Sequence, residues 1–471
     1  MNAADLAFTG VARQAELVRA GDVAPRELVD TYLERIERLD PQLNAFRSVY
    51  RERALAEADQ AAARLKAGDE RPLLGVPVAI KDNTDVAGDV TAHGTNAFGE
   101  AAREDAEVVR RVRAAGAIVL GKTHVPPLCA MPCTESPTWG ITRNPWDVNR
   151  TPGGSSGGSG AAVAAGLVGA ALGTDGAGSI RFPAANNGLF GLKPQRGRIS
   201  LAPLPEHWHG MSVAGWLTRG VVDSALMYDV TMGNVSGDRE PAPPPDRSFG
   251  EAATSAPGKL RVAYSLRPPP GTVGAGPDAE VRRALLDTAE LLRSLGHEVH
   301  EQDLDIPLDA VSHGVARTVR GIADEARTLP HYERLDLRFR RLTRVGQLIP
   351  PAVLARARAA EPAVRARVNA IFDDHDVVLT PVAPEPAFEV GRWEGRGMWW
   401  TLNGGARMIA FTALWNQTGQ PAAAVPAGWT PDGIPLSVQL VGRPNDEHTL
   451  LSLAAQVEAE RPWADRRPPV S

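Results

Sequence analysis

Three lysines in this chain end short apolar runs: Lys81 after LLGVPVAI, Lys122 after AIVLG and Lys193 after LFGL. Elsewhere positive charge comes almost wholly from arginine, with five lysines against 46 arginines. Arginine stays protonated in a protein, whereas lysine can give up its proton. Burial lowers a lysine's pKa because the charged form loses its solvation. A lysine so placed can act as the base that activates a serine hydroxyl where no histidine is available. The serines with suitable surroundings are Ser155 and Ser156 in PGGSSGGSG (152–160) and Ser179 in GTDGAGSIRFPAANNG (173–188). Burial alone does not choose among the lysines, and each serine alone is a weak signal.

Other patterns carry less. Gly116-Ala-Ile-Val-Leu-Gly121-Lys122-Thr123 fits the form of a phosphate-binding loop. Such a loop must curl its backbone N–H groups around an anion. Ala, Ile, Val and Leu at its centre prefer an extended strand, so nucleotide binding is not expected. Gly153-Gly154-Ser155-Ser156-Gly157 fits G-x-S-x-G, but a nucleophile elbow needs a strand running into the serine. The preceding ITRNPWDVNRTP is polar and holds two prolines. His207 and His209 flank Trp208 without a partner cluster at metal-ligand spacing, which points to surface or packing roles. Cys129 and Cys133 have no second pair to complete a zinc site, and no metal or cofactor is expected.

The elements that must position these groups alternate. Residues 10–67 read as helices, and RELVDTYLERIERL (26–39) has apolar residues at helical spacing. The run 73–83 reads as a buried strand, 105–116 as a helix, 117–122 as a strand and 161–171 as an Ala-rich helix after the Gly/Ser loop. Residues 200–258 read as irregular. Strands are expected at 260–265, 298–303, 376–384, 422–428 and 434–442, and helices at 280–296, through 306–373 and at 447–460. This alternation predicts an α/β fold, a mixed, mostly parallel central sheet covered by helices. Residues 1–471 read as a single domain with a variable, largely helical excursion around 205–375.

Composition narrows the class. Apolar residues make up 43% and charged residues 23%, the balance of a soluble globular protein. A net charge of −5 gives no electrostatic footprint for nucleic acid or an anionic membrane. No apolar stretch approaches the length of a membrane span, and no secretory signal is visible. A cytoplasmic enzyme is the expectation, without nucleic-acid or membrane partners; a homodimer is compatible with the sequence.

The stretch TPGGSSGGSGAAVAAGLVGAALGTDGAGSIRFPAANNGLFGLKPQRGRIS (151–200) resembles the hallmark of the amidase signature family. LLGVPVAIKDN (73–83) is similar to that family's lysine segment, and FTALWNQTGQPAAAVPAGWTPDGIPLSVQLVGRPNDEHTLLSLAAQVE to its C-terminal segment. The resemblance implies a Ser–cis-Ser–Lys amidohydrolase that cleaves small-molecule amides through an acyl-serine. It implies Ser179 as nucleophile, Ser155 as bridging serine and Lys81 as base. The backbone N–H groups of Gly176, Ala177, Gly178 and Ser179 would form the oxyanion hole. Asp175 and Arg181 are expected to brace the loop. Ala177 stands where the family commonly has a second glycine, a feature shared with some hydrolases of cyclic amide oligomers. HVPPLC (124–129) also departs from the usual run. In the tRNA-dependent amidotransferase branch an Asp lies two residues before the Phe-Thr of the C-terminal segment; Ile409 is there in this chain, against glutamine as substrate. Trp208, Trp216, Trp393, Trp399, Trp400 and Trp415 fall in or beside the region of least resemblance. They suggest an apolar or aryl amide. Individual substrate-binding residues are not identified.

Overall fold

Pro77-Val-Ala-Ile-Lys81 forms a strand buried at every position, as its continuous apolar character requires when helices cover both faces of a sheet. The computed structural model describes residues 2–471, apart from the side chains of Met398 and Trp399. In chain order the strands are β1 (Phe46–Val49), β2 (Pro77–Lys81), β3 (Ile118–Thr123), β4 (Glu135–Ser136), β5 (Gly140–Ile141), β6 (Ala170–Asp175), β7 (Phe190–Lys193), β8 (Val213–Thr218), β9 (Arg261–Tyr264), β10 (Glu298–Glu301), β11 (Val377–Pro381), β12 (Ala422–Trp429) and β13 (Pro435–Gly442). β4 and β5 pair with each other, and the other eleven make one sheet in the order β1-β3-β2-β6-β8-β7-β12-β13-β11-β9-β10.

The sheet is mixed, and helices cover it. Parallel pairing joins β3–β2–β6 on one flank and β11–β9–β10 on the other. Between the flanks, β6 to β11 pair antiparallel, as does the edge strand β1. Parallel pairs are therefore four of the ten among the described residues, fewer than the alternation of elements predicts. Successive side chains choose opposite layers. Val78, Ile80, Leu172 and Trp216 enter one core with the helices Val221–Thr231, Ala279–Ser294 and Glu447–Glu460. Ala79, Ala171 and Leu217 enter the other with Pro25–Leu43 and Gly157–Ala164.

Four expectations need correction. The segment 10–67 is not wholly helical, because Phe46–Val49 adds β1 to the sheet edge. The Ala-rich helix spans Gly157–Ala164, not 161–171. Gly166, at φ +64, turns the chain back, and Ala170–Asp175 then enters the sheet as β6. A strand packed on both sides tolerates such small residues, which hid it in the sequence. Val213–Thr218 likewise forms β8 inside the stretch expected to be irregular. Within 205–375, β8, β9 and β10 belong to the main sheet, and the part without strands, a series of helices, runs from Ala310 to Asp374.

Candidate active site

The expected lysine and bridging serine meet at one end of the sheet. Lys81 is the last residue of β2 and is fully buried. Its Nζ lies 2.8 Å from Ser155 Oγ, 2.8 Å from Thr174 Oγ1 and 3.2 Å from the Thr174 carbonyl. Asn83 Nδ2 donates to the same Thr174 hydroxyl at 2.9 Å. Gly154–Ser155 is a cis peptide. Gly154 has no room for a side chain, since a Cβ there would lie 2.6 Å from the Cys133 nitrogen and the Met131 carbonyl oxygen. Ser155 then leads directly into the helix Gly157–Ala164.

Burial pulls the Lys81 ammonium's pKa below its ordinary value, against the opposing pull of Cys129, Asp175 and Glu325. The partners fit both protonation states. A neutral amine donates two bonds to Thr174 and accepts one from the Ser155 hydroxyl; an ammonium donates all three. Only the direction of the Ser155 bond changes. The competing lysines are buried too but differently engaged. Lys122 Nζ lies 3.0 Å from Asp82 Oδ1, and Lys193 Nζ donates to the Pro194 carbonyl at 2.8 Å. Ser156 Oγ donates to the Thr174 carbonyl at 3.3 Å and, among the described residues, makes no hydrogen bond to the lysine.

Ser179 lies on the loop between β6 and the helix Arg181–Asn187. Asp175 organises that loop. Its carboxylate accepts from Gly178 N at 2.6 Å, Ile180 N at 3.0 Å, and Arg181 Nε and Nη2 at 3.0 and 2.8 Å. Arg181, fully buried, also donates to the Thr412 carbonyl, Gln439 Oε1 and Asn416 Oδ1. Burial would raise the Asp175 carboxyl, but Arg181, Asn416 and the backbone donors outweigh it and hold the group well below the usual carboxylate range. Both residues therefore brace the loop, as expected.

The backbone here changes one expectation. The Gly178 N–H is taken by Asp175, so it is not free to meet an incoming carbonyl. Among the described residues the N–H groups of Gly176, Ala177 and Ser179 have no acceptor in the chain. Ala177 is accommodated because the left-handed position is Gly178, at φ +128, and not Ala177. A side chain on Gly178 would collide with Thr412, whose Oγ1 donates to the Ala177 carbonyl at 2.6 Å. The Ser179 side chain is partly exposed and, among the described residues, makes no hydrogen bond to Ser155. The lysine–serine leg of the expected relay is formed, and the serine–serine leg is open.

The remaining expectations sort by distance from this loop. His207 Nε2 lies 3.3 Å from Glu325 Oε2 and His209 Nε2 3.1 Å from Asp324 Oδ2. Of the tryptophans, Trp208 packs over Gly176. Trp216 is buried in β8, Trp415 in another core layer and Trp393 against Phe388, while Trp400 is largely exposed. The Trp399 side chain lies outside the described residues. Sequence reasoning missed Thr174, Asn83, Thr412, Asn416 and Glu325. The first four sit inside or beside the quoted segments, where they could have been found; Glu325 carried no signal. No helix is long and apolar enough to cross a membrane among the described residues.

Residues 27–451 match the family model described as Amidase. The chain is 50% identical to AmiB2 of Mycobacterium tuberculosis over 472 residues, covering 100% of each. It is 35% identical to the 6-aminohexanoate-cyclic-dimer hydrolase of Paenarthrobacter ureafaciens, covering 97% of this chain and 95% of that one. Among solved structures, a bacterial aryl acylamidase of the amidase signature family superposes with a TM-score of 0.86 at 25% identity, covering 97% of both chains.

Proposed function

The chain belongs to the amidase family, hydrolases of non-peptide C–N bonds, and on that premise we propose that Ser179 is its nucleophile, Ser155 its proton bridge and Lys81 its base. One observation carries this reading: a fully buried lysine amine 2.8 Å from the hydroxyl of Ser155. Neutral Lys81 takes the Ser155 proton while Ser155 takes the proton of Ser179. Ser179 Oγ then attacks the amide carbon. The tetrahedral oxyanion accepts from the N–H groups of Gly176, Ala177 and Ser179, each worth ~2.7–4 kcal/mol on the scale of single-donor deletions. Collapse breaks the C–N bond, and the proton held on Lys81 returns through Ser155 to the leaving amine. Water, activated by the same relay, then releases the carboxylic acid and restores Ser179.

The substrate we infer is an apolar or aryl small-molecule amide. An apolar cluster containing Leu128, Met131, Phe182, Trp208 and Met408 adjoins the loop and supports this. A cyclic amide oligomer is the second reading, favoured by the alanine at position 177 and by the named activity of one relative. The cytoplasm is the compartment we infer; two free, buried cysteines accord with it. The test is a panel of aryl, alkyl, small polar and cyclic amides with the Ser179→Ala protein as blank. Hydroxylamine in the reaction should yield the acyl-hydroxamate. Equal turnover by Ser179→Ala would remove the nucleophile assignment, and preference for small polar amides would remove the substrate class.

A further inference from the structure

Trp208 is wedged between two glycines that leave it room. A Cβ on Gly176 would lie 2.5 Å from Trp208 Cε3 and 2.6 Å from Cζ3; one on Gly321 would lie 2.6 Å from Trp208 Cα. The indole thus separates the first residue of the oxyanion segment from the helix Ala310–Ala326. Its backbone is unusual as well. Trp208 and His209 have φ of 48° and 54°, and Gly210 follows at 81°. Non-glycine residues hold that region only where their surroundings impose it.

The helix supplies that imposition. Arg317 donates to the His209 carbonyl from Nε at 3.0 Å and Nη2 at 2.6 Å. Asp324 Oδ2 lies 3.1 Å from His209 Nε2. Glu325 engages the ring itself: Oε2 accepts from Trp208 Nε1 at 2.7 Å and lies 3.3 Å from His207 Nε2, while Oε1 lies 2.9 Å from His93 Nδ1. A charged acceptor makes the indole bond short and directional. Glu325, His93, His207 and Trp208 also line a cavity of about 410 Å³ whose walls include Asn83 and Thr174, the hydroxyl partner of Lys81.

We propose that Glu325 is a positioning residue for the oxyanion segment: its carboxylate fixes the Trp208 indole, and the indole fixes the backbone at Gly176 from which the N–H donors of Ala177 and Ser179 project. This rests on the reading of Ser179 as nucleophile and of those N–H groups as oxyanion donors. It assigns Glu325 no contact with substrate.

The test follows covalent labelling of the Ser179 hydroxyl by phenylmethanesulfonyl fluoride, in which the serine oxygen displaces fluoride at sulfur and HF leaves. The sulfonyl oxygen draws on the same N–H donors, so the rate reports their placement without a known substrate. Intact mass gives the rate for wild type, Glu325→Ala, Glu325→Gln, Trp208→Phe and the Glu325→Ala/Trp208→Phe double variant, with melting curves alongside. Expected is a loss of between about 10- and 100-fold in Glu325→Ala and Trp208→Phe, typical of misplaced catalytic geometry. The double variant should be no slower than the slower single, and Glu325→Gln, which keeps an acceptor oxygen, should recover most of the rate. Labelling of both single variants within twofold of wild type overturns the proposal, as do multiplicative losses in the double variant. A wild type that never labels at Ser179 defeats the nucleophile reading itself, and this proposal with it.

Discussion

Replacing Arg181 by Met removes the cation at the centre of the loop while keeping a side chain of similar length. In the wild type Arg181 and Asp175 are both fully buried and 2.8 Å apart, and the guanidinium ties the loop to Thr412, Asn416 and Gln439. Removing one partner of a buried ion pair costs about 3–5 kcal/mol, because the other charge stays in the core. At ~2.1 cal/mol/K per residue, 471 residues give an unfolding entropy of roughly 1 kcal/mol/K. The melting temperature should therefore fall by about 3–5 °C at neutral pH. The deficit should depend on pH. Wild-type Asp175 is held below its unfolded value, so its contribution is complete above pH ~3.9 and is lost only as pH falls through the depressed folded value. In Arg181→Met the guanidinium is gone, and burial, opposed by the neutral donors and by Lys81 and Lys193, whose own pKa values burial lowers, raises the folded value above the unfolded one. The folded protein then retains a proton that the unfolded chain releases, and stability falls as pH rises above about 4. Calorimetry of both proteins from about pH 5 to about pH 8 measures this, with a larger gap expected at the alkaline end. A melting shift under about 1 °C at neutral pH, or a gap that shrinks as pH rises, would refute the bracing role.

Three further outcomes are expected. Lys81 must be neutral to act, so kcat/KM should fall on the acid side as it protonates, and Lys81→Ala should lose several orders of magnitude; a wild-type rate flat from about pH 5 to about pH 9 would contradict a lysine base. Gly178→Ala should lower kcat by about 10²-fold, because alanine resists φ +128 and its methyl meets Thr412; unimpaired turnover would show that the loop tolerates another path. Cys129 is buried and burial pushes its thiol up to about 11, so N-ethylmaleimide at neutral pH should spare it in the native enzyme and reach it in denaturant; rapid native alkylation would place it on an open surface.

The residues legible in the sequence are those whose partners lie in the same short segments. Asp175 and Arg181 are six apart and pair within one turn of loop and helix, and Lys81 could be weighed from the apolar run before it. β6 escaped notice because Ala170-Ala-Leu-Gly-Thr-Asp175 lacks the alternation and bulk that mark a strand. The antiparallel centre of the sheet was equally silent, since β7 pairs with β12 some 230 residues away in sequence and no local pattern encodes that pairing. Glu325 lies 117 residues from Trp208, in a helix that reads like any surface helix until the turn at Trp208 folds onto it. The open serine–serine leg could not be read from a motif, which records which residues are present and not how the hydroxyls turn.

The lysine distribution has a practical side. Lys81, Lys122 and Lys193 have no accessible surface, whereas Lys66 and Lys259 face solvent. An amine-reactive tag such as acetic anhydride therefore meets two side chains on the intact molecule and five on the unravelled one. Mass increments beyond those of the α-amine and these two side chains therefore count unfolding directly, and an activated resin cannot reach the amine of the proposed relay while the fold is intact.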